Sequence, residues 1–244
     1  MILIKAIYSI IINIRNFLYD KKFLTSYKSS IPVVSVGNIT VGGTGKTPFV
    51  IYLANYFNNL GYNPLIITRG YKRESIGQVF ITKEHQYSTD YIGDEPFLIS
   101  SLCSNVDIII NKNRVDAIKW AEKQNKKYDL IILDDGFQHR SVYRDFNILL
   151  INSFQKMHSY PPCGDLREPL KNIKRADYIL YTKGDPDNTL KPIIQSFKLP
   201  ADQADISFTL KKLDPGQDKN VLRDTLFIQP IKTKGELENN LEKL

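Results

Sequence analysis

Six short apolar, β-rich runs recur along the chain: Pro32 to Val36, Pro64 to Thr68, Val106 to Ile110, Asp129 to Asp134, Phe146 to Ile151 and Asp177 to Thr182. Runs of this length without polar alternation read as strands covered on both faces. Helical patterns fall between them, clearest at Lys46 to Leu60 with Gly61 in the stop position, and at Arg114 to Lys126. Strand, helix and strand in repetition predict an α/β parallel sheet with flanking helices. In such a sheet ligands collect beyond the carboxyl ends of the strands, so the residues just after each run carry the functional argument.

After the first run comes Thr40-Val41-Gly42-Gly43-Thr44-Gly45-Lys46-Thr47, which opens a helix. The glycines let successive backbone N–H groups turn toward phosphate oxygens, and the helix N-terminus adds its positive dipole end. Lys46 is placed to reach the outer phosphates and the Thr47 hydroxyl to bind Mg²⁺. Threonine at 40 departs from the strict phosphate-loop pattern, which has glycine there, while the strand-loop-helix setting agrees with it. After the fourth run stand Asp134 and Asp135, where nucleotide-using folds hold a carboxylate to Mg²⁺ directly or through water. Arg69, after the second run, and Arg167-Glu168 are candidates for gripping a phosphate, because a guanidinium meets it with a two-pronged fork. Asp94-Glu95, in Gly93-Asp94-Glu95-Pro96, reads first as a helix start. His139 lies near Asp135 and reads equally as a hydrogen-bonding residue or as a catalyst, whereas His85 and His158 receive no role.

The 244 residues carry 33 Lys plus Arg against 26 Asp plus Glu, a net charge of +7, which favours anionic partners without choosing among them. The basic residues are scattered, with no dense patch or recognisable module, so nucleic acid ranks last as a partner. Two cysteines sixty residues apart, Cys103 and Cys163, suit a reducing compartment and offer no zinc site. No obligate protein partner is evident.

The N-terminal stretch is apolar, but its uncharged run from Ala6 to Ile14 is far shorter than the roughly 20 residues that span a bilayer. Ile4, Ile7, Ile11, Ile14 and Leu18 share one face and Lys5, Ser9, Asn13, Asn16 and Asp20 another, so residues 1–20 form an amphipathic helix. Its face either lies in lipid headgroups, with Lys5 and Arg15 meeting anionic lipid, or docks on the body of the protein. At the other end, Leu226 to Ile228 reads as one strand, and Leu237, Leu241 and Leu244 align on a short terminal helix. A small, incomplete second lobe is expected after a linker, giving units of 1–185 and 186–244.

Taken together, Val36-Gly37-Asn38-Ile39-Thr40 through Thr47-Pro48, Arg69-Gly70-Tyr71, Gly93-Asp94-Glu95-Pro96, Asp134-Asp135-Gly136-Phe137-Gln138-His139-Arg140 and Gly164-Asp165-Leu166-Arg167-Glu168-Pro169 resemble the tetraacyldisaccharide 4′-kinase family, to about residue 185. Threonine at position 40 is normal in that family. The resemblance implies a P-loop type kinase that uses ATP and Mg²⁺ to phosphorylate the 4′-hydroxyl of an acylated glucosamine disaccharide 1-phosphate. The product is lipid IVA, and the place of action is the cytoplasmic face of the bacterial inner membrane, with the N-terminal helix in peripheral contact with lipid. By motif, the resemblance gives Thr40 through Thr47 to nucleotide binding, Asp94 to the catalytic base beside Lys46 and Asp135, and Thr47, Glu95 and Asp134 to the metal. It gives Arg69, Gln138, His139, Arg167 and Glu168 to the substrate. A carboxylate such as Asp94 would orient the sugar hydroxyl and accept its proton late in an in-line transfer. The family also pairs its catalytic aspartate with a second-lobe histidine, and no histidine follows His158 in this sequence. Two alternatives stand beside the kinase: a nucleotide-binding family member without phosphoryl transfer, and a GTPase-like protein suggested by Thr182-Lys183-Gly184-Asp185.

Overall fold

The computed structural model describes residues 2–84, 87–103, 105–154, 160–161, 164–184, 190–204, 208–212, 224–228 and 237. His85, His158, Cys163, Asp185, Leu241 and Leu244 lie outside the described residues. Eight strands form the main sheet in the order β3-β4-β2-β5-β1-β6-β7-β8. They are β1 (Val33–Asn38), β2 (Pro64–Thr68), β3 (Val79–Ile81), β4 (Asp107–Ile110), β5 (Leu130–Asp134), β6 (Phe146–Asn152), β7 (Tyr178–Thr182) and β8 (Ala201–Ala204). All neighbours pair parallel except β3, which runs antiparallel to β4 at the edge. The six runs read as strands all appear. Because β8 pairs with β7, the sheet continues past residue 185, where the first unit was expected to end. A separate antiparallel pair joins β9 (Phe208–Lys212) to β10 (Asp224–Ile228), which contains the expected strand at 226–228.

Helices cover both faces. On one side α2 (Lys46–Asn59) packs on β1, β2 and β5, and α4 (Asp94–Leu102), entered through the short α3 (Thr89–Ile92), packs on β4. On the other side α5 (Arg114–Glu122) packs on β2. It ends four residues before the expected Lys126, because the N–H groups of Lys123 and Gln124 turn back to the carbonyls of Trp120 and Ala121 and tighten the last turn. The short α6 (Leu190–Gln195) leads to β8. Among the described residues three clusters fill the interior, one of them joining Ile39 and Phe137 to Leu149, Ile151 and Ile179. A second joins Phe49, Leu53 and Phe57 of α2 to Ile66, Ile108 and Ile132, and includes the helical Leu237. The third joins Ala117, Ile118 and Ala121 of α5 to Leu65, Ile67 and Ile131.

Helix α1 (Ile2–Asp20) reverses the usual arrangement. Ile7, Ile10, Ile11, Ile14 and Phe17 are 48–59% exposed, whereas Asn16 is 5% exposed. Its polar side faces the protein: Arg15 donates to the Gln138 carbonyl (2.5 Å), Tyr8 to the Arg167 carbonyl (2.9 Å), and Arg140 reaches back to the Asn16 carbonyl (3.0 Å) and the Asp20 carboxylate (2.7 Å). Of the two expected alternatives, docking on the body of the protein is what the polar face does, while the apolar face is exposed. Arg15 turns inward instead of toward lipid, because the docking surface is made of backbone carbonyls that need donors.

Candidate functional site

The register of the sheet assembles the site. Val36 of β1 pairs with Asp134 of β5, so the phosphate loop leaving β1 and the aspartates leaving β5 emerge side by side. Gly37 permits this closeness: a Cβ there would lie 2.5 Å from the Cβ of Phe137 and 2.7 Å from its backbone nitrogen. The loop is fixed at its base, where Asn38 Nδ2 donates to Thr44 Oγ1 (2.9 Å) and the Thr182 hydroxyl donates to the Thr44 carbonyl (3.0 Å). Thr40 is buried and bridges to Leu166, and the Val41 N–H donates to the Asp165 carbonyl (2.6 Å), so the strand carrying Arg167 lies along the loop. Gly42 (φ 109°) and Gly45 (φ 80°) take the left-handed backbone that aims N–H groups into the cradle. Gly45 caps α2, whose first residues are Lys46 and Thr47.

A cleft of about 380 Å³ runs over this cradle, lined by Gly42 through Pro48 together with Glu95, Arg167, Thr182 and Lys183. A larger cleft, about 490 Å³, surrounds Asp107 at the opposite end of the strands. Asp107 there already accepts from Lys126 and Tyr128, both at 2.7 Å, and none of the phosphate-loop residues reaches it. The smaller cleft is the candidate site, since the phosphate-loop backbone, Lys46, Glu95 and Arg167 line it.

The two aspartates have opposite electrostatics. Asp134 is 3% exposed, and burial pushes its carboxyl up to about 6 even though the Thr68 hydroxyl, donating at 2.7 Å, favours the charged form. Asp135 sits outside the strand with φ 53° and is held below the ordinary carboxylate range. Burial acts the other way there, but Lys46 Nζ at 3.5 Å and Arg167 Nη1 at 2.8 Å from both carboxylate oxygens outweigh it. Asp134 also feels the negative charge of Glu95, which places that carboxylate across the same cleft. Asp94 is exposed at the start of α4 behind Gly93 (φ 91°), one residue before Glu95, and does not line the cleft.

Around Asp135 the remaining candidates form two tiers. Gln138 Nε2 donates to the Asn38 carbonyl and to Glu168 Oε1, both at 2.8 Å. Glu168, 2% exposed, also takes Asn172 Nδ2 (2.8 Å) and Arg175, so its oxygens are committed inside the protein. That arrangement makes Glu168 a support for Gln138 more than a group offered to a ligand. Burial drives the His139 imidazole down to about 4, with the positive charge of Arg114 adding to it, so it is neutral near pH 7. Arg69 is exposed at the end of β2 and contributes positive charge to the surroundings of His139 and Arg114.

Three supporting residues carry no local sequence signal. Arg114, 1% exposed, donates to the carbonyls of Asn111 (2.7 Å) and Asp134 (3.3 Å), and burial lowers its guanidinium to about 10 against the pull of Asp134 and Asp135. In sequence it is only the first residue of α5. Thr68 and Asn38 each end an apolar strand, and their role depends on partners 66 and 6 residues away. The Thr182 hydroxyl, part of the guanine-reading pattern, is spent on the phosphate loop, and Asp185 lies outside the described residues.

Comparison with known proteins agrees with this geometry. The family model for tetraacyldisaccharide-1-P 4′-kinase (LpxK) matches residues 1–228. The chain is 37% identical over 239 residues to the tetraacyldisaccharide 4′-kinase of Aquifex aeolicus, covering 89% of this chain and 75% of that protein. It is 39% identical over 198 residues to the enzyme of that name from Pelodictyon phaeoclathratiforme, covering 78% and 56%. With the one from Porphyromonas gingivalis it is 42% identical over 196 residues, covering 78% and 53%. The crystal structure of LpxK from Aquifex aeolicus in complex with ATP superposes with a TM-score of 0.73 at 37% identity, covering 86% of this chain and 65% of that one. The chain thus spans between about half and three-quarters of these relatives. With the family model covering nearly its whole length, the chain belongs to the tetraacyldisaccharide 4′-kinase family.

Proposed function

We propose that the protein transfers the γ-phosphoryl group of ATP to the 4′-hydroxyl of a tetraacylated glucosamine disaccharide 1-phosphate, yielding lipid IVA. The observation that carries this reading is the convergence of the Gly42–Thr47 cradle, Glu95 and Arg167 on one cleft, with Asp135 held behind it by Lys46 and Arg167 of its lining. The backbone N–H groups of the cradle and Lys46 take the phosphates. The donors fit Mg²⁺, which keeps several waters and needs few protein ligands: Thr47 offers a hydroxyl, while Asp134 and Glu95 offer carboxylates. When bound, the metal neutralises charge on the transferring phosphoryl group.

Asp94 accepts the proton of the 4′-hydroxyl as its oxygen bonds to phosphorus and the bond to the bridging oxygen of the leaving ADP breaks. Its place at the N-terminus of α4, beside Glu95, supports that role. Lys46 bridges Asp135 and the phosphates, and Arg167, anchored on Asp135, extends a guanidinium along the cleft. Gln138 and neutral His139 supply hydrogen bonds to the sugar. Arg69 adds positive charge for the substrate's own phosphate.

The exposed face of α1 supports peripheral seating on an anionic lipid surface at the cytoplasmic side of the inner membrane, where an acylated substrate resides. Five adjacent large apolar side chains are presented there, with Phe23, 73% exposed, and the exposed Lys21 and Lys22 just beyond the helix. None of the described helices is long and apolar enough to cross a membrane. The test is incubation with γ-labelled ATP, Mg²⁺ and the lipid disaccharide 1-phosphate in detergent micelles, beside Lys46→Ala. Labelled lipid is expected, with a loss on the order of 10³-fold in the variant. Nucleotide binding without labelled lipid would overturn the kinase reading in favour of a nucleotide-binding family member without transfer, and stabilisation by GTP in place of ATP would favour the GTPase-like alternative.

A further inference from the structure

One helix touches both the loop that carries Arg167 and the loop that carries Gln138. Tyr8 and Arg15 of α1 are seven residues apart, two turns along the same side of the helix, or roughly 10 Å. The Tyr8 hydroxyl donates to the Arg167 backbone carbonyl at 2.9 Å, and Arg15 Nη2 donates to the Gln138 carbonyl at 2.5 Å. Both receiving residues continue directly into the site: Arg167 Nη1 holds both oxygens of Asp135 at 2.8 Å, and Gln138 Nε2 ties Asn38, at the root of the phosphate loop, to Glu168. Arg167 and Gln138 also meet each other, Nη1 to Oε1 at 3.4 Å. The opposite side of α1 is its exposed apolar face.

We propose that Tyr8 and Arg15 are positioning residues that couple the seating of α1 on lipid to the placement of Arg167 and Gln138 against Asp135. The inference rests on the kinase reading and deepens it, making the lipid surface an activator as well as a location. A helix shift of about 1 Å takes both contacts beyond hydrogen-bonding distance. The Arg167 guanidinium and the Gln138 amide would move with their backbones, since each is held from the carbonyl side by α1. A lipid surface that fixes the axis of α1 through its apolar face therefore fixes these two groups, and without it they sample looser positions. Mere glue between helix and body would leave catalysis indifferent to lipid once the chain is folded.

The experiment measures deuterium uptake in residues 136–140 and 164–169 of the full chain, with and without vesicles of phosphatidylglycerol and phosphatidylethanolamine. Vesicles are expected to slow uptake in both loops by roughly threefold or more. Tyr8→Phe should abolish the response at 164–169, Arg15→Gln should abolish it at 136–140, and Arg15→Lys should restore part of it. In the lipid kinase assay Tyr8→Phe should lower kcat roughly tenfold, the weight of one hydrogen bond, with KM for ATP within about twofold. Loops indifferent to vesicles in the unsubstituted protein, or a Tyr8→Phe variant with unchanged kcat and loop response, would overturn the coupling. If the unsubstituted protein transfers no phosphate while the loop responses follow the substitutions, the coupling stands and the kinase reading falls.

Discussion

Helices α1 and α2 are both rich in apolar residues, yet they use them in opposite ways. Phe49, Val50, Leu53 and Ala54 of α2 are fully buried and its first residues form the phosphate cradle, so one face makes the core and one end makes the chemistry. Helix α1 turns Tyr8, Arg15 and Asn16 to the protein and leaves Ile7, Ile10, Ile11 and Ile14 outside. The difference shows that an apolar stripe in a sequence does not say whether the face it forms is covered by the protein or left exposed. What the neighbouring structure offers decides: the sheet offers α2 an apolar face, whereas the loops at 138–140 and 167 offer α1 carbonyl oxygens and a guanidinium.

Replacing Ile10 and Ile14 of α1 together by serine should give the largest contrast. Each isoleucine buried in lipid contributes about 2 kcal/mol, so partitioning onto anionic vesicles should fall by roughly a thousandfold, while the unfolding free energy in solution changes by less than about 0.5 kcal/mol per site. A matching loss of stability without loss of vesicle binding would mean that the face packs on protein. Leu53→Ala in α2 should behave conversely, costing about 3 kcal/mol in urea unfolding because a fully buried side chain leaves a cavity, with vesicle binding of the folded fraction intact.

A smaller effect contrasts the two sides of the cleft. Asp134, raised to about 6 by burial, holds a proton in the folded chain over a range where the unfolded chain, near 3.8, does not, so its contribution to stability grows as pH falls from 6 toward 4. His139, lowered to about 4 by burial, stays neutral in the fold while the unfolded chain gains a proton near 6.5, so its contribution shrinks over the same window. Each amounts to something on the order of 3 kcal/mol, and the two nearly cancel. In magnesium-free buffer, thermal stability between pH 6.5 and 4 should thus slope upward toward acid for His139→Gln and downward for Asp134→Asn. Identical slopes in the two variants would refute the assignment.

How far this was legible in the sequence varies with the range of the interaction. Strands β1, β2 and β4 through β7 declare themselves through short, mostly apolar runs that need cover on both faces. Strand β3 is three residues long, and β8 reads Ala-Asp-Gln-Ala; they exist because β4 and β7 have free edges to pair with, which no local pattern records. In the site, the Gly42–Thr47 cradle and the paired aspartates are legible because the backbone geometry that binds phosphate demands those residues in that order. Arg114, Thr68 and the inward turn of Arg15 are not, since each has meaning only through a partner 20 to 123 residues away.

The close approach at Gly37 has a consequence for how substitutions in this family will be classified. Position 37 touches no phosphate and carries no charge, so a survey of variants would file damage there under folding. An added methyl group, however, must push against Phe137 at 2.5 Å, two residues beyond Asp135, and Asp135 is the carboxylate shared by Lys46 and Arg167. The displaced loop would carry its charge away from both cations before the sheet itself gave way. Gly37→Ala should accordingly yield a chain that is folded by every spectroscopic measure and still behaves as though its active site had been mutated.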